Sequence, residues 1–207
     1  MNRVYLCGTS AGMDAGSIRH LIGLFTAEGI KRFFVWLSPG PDMDIVRGWL
    51  AEAGLSRVRR TGYPTLCRIG HAPVQFNTDL EIREVGVDEI SAALEALGET
   101  MWPVHVKTAG QQGFLHYVAF DGKRPVAIAA LCLFEDLGYL MAAATAESHR
   151  RRGAQQALIA KRLERAEQMS CAIQVSETLY MLEHSYRNLR RAGFHEAYEN
   201  EVYEWNA

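Results

Sequence analysis

Between residues 79 and 85, apolar Leu80, Ile82 and Val85 alternate with Glu81, Arg83 and Glu84, the pattern of a half-exposed strand. Residues 89–97 then place Ile90, Leu94 and Leu97 on one helical face, with Asp88 as the predicted N-cap. Two β-rich runs follow, 114–120 and 125–134, joined by Asp121-Gly122-Lys123-Arg124. An Asp-Gly pair between such runs predicts a hairpin. A third apolar run, 138–145, leads into His149-Arg150-Arg151-Arg152-Gly153, and residues 154–169 are rich in Ala, Leu, Gln, Arg and Glu, all good helix formers. The chain closes with a short strand at 172–175, a helix at 182–191 stopped by Gly193, and a strand at 198–205. The predicted order is strand, helix, hairpin, strand, helix, strand, helix, strand.

Ahead of this, residues 3–7 read as a strand and 17–26 as a helix. The segment "FFVWLSPGPDMDIVRGWLAEAGLSRVRRTGYPTLCRIG" runs strand, loop, helix with Ile45, Trp49 and Leu50, an Ala53-Gly54 stop, and strand. The C-terminal "AIQVSETLYMLEHSYRNLRRAGFHEAYENEVYEWN" has the same order, with residues 188–194 lying over 49–55. This predicts an internal repeat of supersecondary order. Gly8, Gly12 and Gly16 fit neither GxGxxG nor GxxxxGK[ST], and Arg19 is the first cation after them, so a flexible turn is expected there.

Composition narrows the class. The 207 residues include 22 Lys+Arg and 24 Asp+Glu, a formal net charge of −2, which argues against a nucleic-acid partner. With 48% hydrophobic and 22% charged residues the chain can build a packed core and is not a disordered one. Length alone does not choose between one large domain and two small ones. The apolar stretch at the start is too short for a signal peptide, and charged residues interrupt every later apolar run, so no membrane partner and a cytoplasmic location are expected. The 4 cysteines (Cys7, Cys67, Cys132 and Cys171) are scattered with no CxxC pair, so no metal site is expected.

The basic turn carries the chemistry. A helix N-terminus presents unsatisfied N–H groups and the positive end of the helix dipole, which together favour an anion. Gly153 permits close backbone approach, and Arg150, Arg151 and Arg152 add charge. A pyrophosphate suits such a turn, although an Arg-rich turn can also be a plain solvated one.

The run "ESHRRRGAQQALIAKRLERA" resembles the acyl-CoA-binding signature of GNAT acetyltransferases, Q/R-x-x-G-x-G/A, with Arg150 first and Gly153 fourth. The element order over 79–207 and the closing "NLRRAGF" are similar to the same family. The resemblance implies an α/β fold: a mixed, mostly antiparallel sheet flanked by helices in a complete GNAT domain over 79–207. Residues 1–75 then resemble the closing half of a truncated second unit without the cofactor loop, which extends the sheet, covers an edge or walls the acceptor site. Two departures stand out. Gln155 occupies a Gly or Ala position, and Leu189 stands where the family often has Tyr.

By position, the resemblance implies that amides of Arg151, Arg152, Gly153, Ala154, Gln155 and Gln156 hold the pyrophosphate of acetyl-CoA as co-substrate, with the arginines, Arg150 included, screening its charge. Asn188 joins them as a cofactor contact. Ala143, Ala144 and Thr145 would pair with the pantetheine arm, the Thr145 amide polarising the thioester carbonyl. Transfer to an amine needs an acid for the leaving thiolate and an unprotonated nucleophile. Tyr186, three residues before Leu189 and so on the same helical face, is the candidate acid, with Ser185 as a second. Glu177 and the Glu135-Asp136 pair are the candidate bases, and water-mediated deprotonation is an alternative. Trp102, His105, His116, Glu177 and Tyr180 are the side chains expected near the acceptor, a small-molecule or peptide amine. Family habit points to a homodimer. The rival expectation is a non-catalytic acyl-CoA-binding or protein-interaction module.

Overall fold

A computed structural model describes residues 2–58, 63–70, 72–98 and 103–207. The described elements, in chain order, are β1 (Arg3–Cys7), α1 (Ala15–Ala27), β2 (Arg32–Ser38), α2 (Met43–Glu52), β3 (Ser56–Arg57), β4 (Tyr63–Ile69), β5 (Glu81–Val85), α3 (Val87–Leu97), α4 (Pro103–Thr108), β6 (Phe114–Asp121), β7 (Arg124–Phe134), β8 (Leu137–Thr145), a 3-10 turn (Glu147–His149), α5 (Ala154–Gln168), β9 (Ile173–Glu177), α6 (Glu183–Arg191) and β10 (His195–Asn206). They form two compact units. The first holds Met1–Thr65, Leu179–Met181 and Glu196–Ala207, and the second holds Leu66–Thr178 and Leu182–His195.

In the second unit the strands lie in the order β4-β9-β8-β7-β6-β5. The β5–β6, β6–β7 and β7–β8 pairs are antiparallel, while β8 and β9 are parallel. Alternation decides which face each strand residue serves. Tyr117 and Ala119 of β6, Ala127, Ala129 and Leu131 of β7, and Leu140 of β8 meet Ala154, Leu158, Ile159, Leu163 and Ala166 of α5. Their neighbours Val118, Phe120 and Ile128 meet Ile90, Ala93 and Leu94 of α3 on the opposite face. The helix positions recur every three or four residues, as an amphipathic helix requires. Gly138 lets α5 approach β8, since a Cβ there would stand 2.9 Å from that of Ala166.

The first unit has the order β1-β2-β10-β4, with β3 beside β10. Its β1 runs parallel to β2 along its whole length, from Arg3↔Phe34 to Cys7↔Ser38. β10 is antiparallel to β2, from Glu201↔Leu37 to Asn206↔Arg32. Ile18, Phe33, Val35, Leu37, Val46, Leu50, Leu55 and Tyr203 form its core. Asp14 caps α1 in a capping box with Ser17.

Most element boundaries agree with the alternation and stop signals to within one to three residues. Three differences have physical causes. Gly86, not Asp88, is the N-cap of α3, and Asp88 lies in its first turn, where a carboxylate still favours the helix dipole. The short α4 carries too few turns to show a period. The expected division near residues 75–79 also differs from the observed one at Thr65/Leu66. Leu66 and Arg68 of β4 are buried in the second unit, whereas β10 from Glu196 onward belongs to the first, so residues 79–207 alone do not make up either unit.

The loop after β1 in the first unit is closed tightly. The N–H of Gly8 donates to Ser38 O at 2.9 Å and that of Asp42 to Gly8 O at 2.8 Å. A Cβ on Gly40 would fall on the Gly8 carbonyl. Because backbone cannot yield as a side-chain tip can, Gly40→Ala is expected to lower unfolding stability by roughly 2–3 kcal/mol. A urea midpoint unchanged from that of the parent chain would refute this close approach.

Candidate functional site

The parallel pairing of β8 with β9 runs from Leu137↔Ile173 to Leu140↔Ser176 and stops. On its other edge β8 stays paired with β7 as far as Thr145↔Ala127. Residues 141–145 therefore have a strand on one side only among the described residues. The Ala146 N–H donates to Val126 O at 2.8 Å, so by alternation the Thr145 N–H points the opposite way, to the open edge. Within this stretch the β7–β8 register shifts: Ile128 to Ala130 on β7 faces Ala144 to Met141 on β8, leaving one extra residue on β8. Ala142 has φ 49° there, a β-bulge at the start of the split.

The basic turn stands at the end of the same strand. Gly153 is the N-cap of α5 at φ 79°, and no side chain caps the helix among the described residues. Its first-turn N–H groups are therefore available to an anion. The glycine is needed for a second reason that the sequence did not disclose. A Cβ at 153 would sit 2.5 Å from Asn77 O, so the close neighbour is the chain's own backbone.

The three arginines do not share one role. The Arg152 guanidinium binds Asp79 and, at 2.6 Å, Asp121, while its carbonyl accepts from the Thr78 hydroxyl at 2.8 Å. That guanidinium holds both carboxyls below the usual carboxylate range. His149 also approaches Asp121, at 3.2 Å. Arg150 and Arg151 are exposed, and Arg150 has only a loose contact with Glu147 at 3.7 Å. Arg151 adopts φ 67°, which turns the backbone sharply ahead of the helix.

Gln155, Ser185 and Asn188 form one network. The Gln155 amide donates to the Ser185 hydroxyl at 3.1 Å and accepts from the Asn188 amide at 2.8 Å, tying α5 to α6. The long side chain at 155, a departure from the family pattern, thus has partners of its own. Leu189 is buried in the main core of the unit and Tyr186 packs against that same core, as their spacing predicts. Gln156 and Asn188 also line a small cavity of about 30 Å³ with Val74, Gln75 and Arg191.

On the α3 face of the sheet, Glu177 stands one residue beyond the last paired position of β9. The Tyr139 hydroxyl donates to its carboxylate at 2.9 Å. Tyr139 was not anticipated from the sequence, where it reads as an ordinary strand aromatic. His105 and His116 are buried with ring centroids 5.3 Å apart, and the Thr108 hydroxyl lies 3.2 Å from His116 Nε2. Glu135 and Asp136 precede β8 at the end away from the split, which separates them from Thr145 by the length of the strand. Tyr180 belongs to the first unit, where its hydroxyl donates to Glu196. Trp102 lies outside the described residues. No group of His, Cys, Asp and Glu able to hold a metal ion occurs among the described residues.

Residues 81–197 match the model of the acetyltransferase (GNAT) family, more than half of the chain, and the protein belongs to that family. A GCN5-related N-acetyltransferase from Kribbella flavida shares 17% identity over 99% of this chain and 78% of its own, with a TM-score of 0.67. A tandem GNAT protein from the clavulanic acid biosynthesis pathway is 12% identical over 92% of this chain and 69% of its own, at 0.67. The ribosomal-protein-S18-alanine N-acetyltransferase of Escherichia coli is 15% identical over 61% of this chain and 93% of its own, at 0.52. These likenesses establish the fold. No curated protein sequence matches the chain. Family membership makes the chain an acyltransferase-type protein, and the chemistry of the family is acyl-CoA-dependent acyl transfer. No described helix is long and apolar enough to cross a membrane.

The buried histidines give the fold a pH signature. Burial, with His116 and Arg162 nearby, pushes His105 down to about 4. Burial lowers His116 as well. Above the ordinary histidine range both folded and unfolded chains hold neutral rings, and nothing is lost. As pH falls below about 6.5 only the unfolded chain gains the proton, so stability drops until the folded ring titrates, by about 3 kcal/mol for His105. Asp79 and Asp121 weaken the fold only at lower pH, below the carboxylate range. Urea unfolding at pH 7 and pH 4.5 is expected to show this loss, and a folded His105→Leu chain to show less of it. Equal stability at the two values would remove the buried-histidine account.

Proposed function

We propose that the chain is an N-acyltransferase that uses acetyl-CoA as donor and transfers the acetyl group directly to the amine of a small-molecule or peptide acceptor. The observation that carries this reading is the open edge of β8 leading straight to an uncapped helix N-terminus. An extended arm with amide groups can pair with residues 143–145, and a pyrophosphate placed at the end of that arm meets the amides of Arg151, Arg152, Gly153, Ala154, Gln155 and Gln156. Arg150 and Arg151 screen its charge, while Arg152 keeps the turn in shape through Asp79 and Asp121. Asn188 and Gln155 hold α6 beside this turn.

The thioester supplies an activated acyl carbon. The residues of the chain handle charge and protons around it. The Thr145 N–H faces the open edge and favours negative charge on the carbonyl oxygen as the amine attacks. Glu177, fixed by the Tyr139 hydroxyl, accepts the proton lost by the amine, directly or through water. A new C–N bond forms, the C–S bond breaks, and the sulfur takes a proton to leave as the free thiol. Tyr186 is our candidate for that acid. Ser185 is the weaker one because the Gln155 amide already engages its hydroxyl. We further propose that the first unit is a degenerate GNAT-like half without a donor site.

Calorimetric titration with acetyl-CoA tests the donor site. Saturable binding is expected, and Arg150→Gln with Arg151→Gln together should weaken it about tenfold and flatten its salt dependence. No binding by the parent chain would sink the reading, and binding without thiol release from any of a panel of amines would favour a non-catalytic acyl-CoA-binding module.

Catalytic assignments are tested by turnover. Glu177→Gln is expected to lower kcat about 100-fold with little change in the dissociation constant of acetyl-CoA. Tyr186→Phe should lower kcat most where the free thiolate is the poorest leaving group, and unchanged turnover at every pH would eliminate Tyr186.

A further inference from the structure

We propose that Arg162 is a positioning residue that clamps the β8 bulge from the α5 face of the sheet, and so aims the backbone N–H groups of β8 at the acyl carbonyl. The proposal rests on the acyltransferase reading above. It starts from a break in the ladder. Where β8 carries its extra residue, the regular β7–β8 hydrogen bonds are interrupted, and carbonyls next to the break need other donors. Arg162, on α5, supplies them. Its Nη1 donates to Ala130 O at 3.0 Å and to Met141 O at 3.3 Å, one carbonyl from each strand at the pair that borders the bulge, while its Nε donates to Leu158 O at 2.9 Å.

The choice of residue is informative. Arg162 is 2% exposed, and no carboxylate pairs with it among the described residues. An apolar side chain of similar length would fill this space without the cost of burying a cation. Burial lowers the guanidinium to about 9, so it remains charged at neutral pH. The planar guanidinium reaches separate carbonyls at fixed angles, which a flexible apolar chain or a single ammonium does not.

The opposite face of the sheet carries a pair of buried histidines. His116 alternates with Tyr117, which faces α5, so His116 faces away from it, and the His105 ring packs against His116. Ala142, within the bulge, has φ 49°. An alanine in the left-handed region is strained, and such strain persists only where the surroundings over-determine it. Here the Arg162 guanidinium holds the carbonyl of Met141, the residue directly before Ala142. The strand direction at the split is therefore set by a buried group remote from the donor itself.

Arg162→Met and Arg162→Lys test the clamp. Arg162→Met is expected to leave the acetyl-CoA dissociation constant within about threefold and the KM for amine unchanged, yet lower kcat about 100-fold, as loss of a carbonyl-polarising contact does. The infrared stretch of bound acetyl-CoA labelled with carbon-13 at the thioester carbonyl should shift down in the parent chain and lose that shift in Arg162→Met. Arg162→Lys should restore part of both. In the ligand-free chain, amide exchange in residues 141–145 should accelerate in Arg162→Met and, to a lesser degree, in Arg162→Lys, which decides the matter if Arg162→Met does not fold. A retained infrared shift with kcat within threefold would overturn the clamp. So would parallel loss of binding, turnover and melting temperature, or unchanged exchange. A parent chain that binds no acetyl-CoA refutes the acyltransferase reading, and the exchange experiment then decides the clamp on its own.

Discussion

A strand inside a sheet must place its N–H and C=O groups on both edges, and β8 does so only as far as Leu140. Beyond that residue one edge is left open among the described residues, which would be a liability on an ordinary surface. Much of the second unit supports this short stretch. β7 holds its other edge through Thr145, α5 packs beneath it and brings Arg162 to the bulge, and the turn that follows presents uncapped amides in line with the open edge. Small side chains at Ala142, Ala143 and Ala144 keep the edge accessible. Order in the fold is concentrated where pairing is withheld.

In the first unit a strand, β1, runs parallel to a second strand, β2, and is followed by a glycine-containing loop and a helix. Its parallel register continues to the last residue of β1, and the Gly8 N–H extends it by another bond to Ser38 O. Where α5 lacks a side-chain cap, α1 has Asp14. The Asp42 carboxylate takes hydrogen bonds from the N–H and hydroxyl of Ser10 at 2.7 and 2.8 Å, and those bonds hold its carboxyl below the ordinary range. The loop with Gly8, Gly12 and Gly16, expected only as a flexible turn, is held by carboxylates of the chain itself.

The sequence disclosed the elements whose periods were long enough to read, and the turn into α5, because Gly153 and its arginines combine two independent signals. It did not disclose the bulge. Ala142, Ala143 and Ala144 carry no alternation from which a one-residue register shift could be inferred, and alanine is not the residue expected at φ 49°. Arg162 was equally hidden, since an arginine in a run of Lys, Arg and Glu reads as a solvated face, and only the packing of α5 shows it to be buried. Tyr139 escaped notice because its contact with Glu177 spans 38 positions in sequence. The exchange of β4 and β10 between compact units was invisible for the same reason: strand order is a long-range property that local patterns do not encode.

The basic turn is also less positive than its sequence implies. Arg152 is neutralised by Asp79 and Asp121, and the His149 ring stands near the same Asp121 carboxylate. What faces solvent is the field of the α5 N-terminus together with Arg150 and Arg151. That division has a mechanical logic. A residue at φ 67° followed by a glycine pressed against Asn77 O makes a sharply bent turn, which would otherwise have many competing conformations. The ion pairs of Arg152 and the hydrogen bond from Thr78 to its carbonyl fix the bend from inside, so the chain itself holds the backbone of the turn. Donors held in this way would lose little freedom on meeting an anion, and the exposed Arg150 and Arg151 stand beside them.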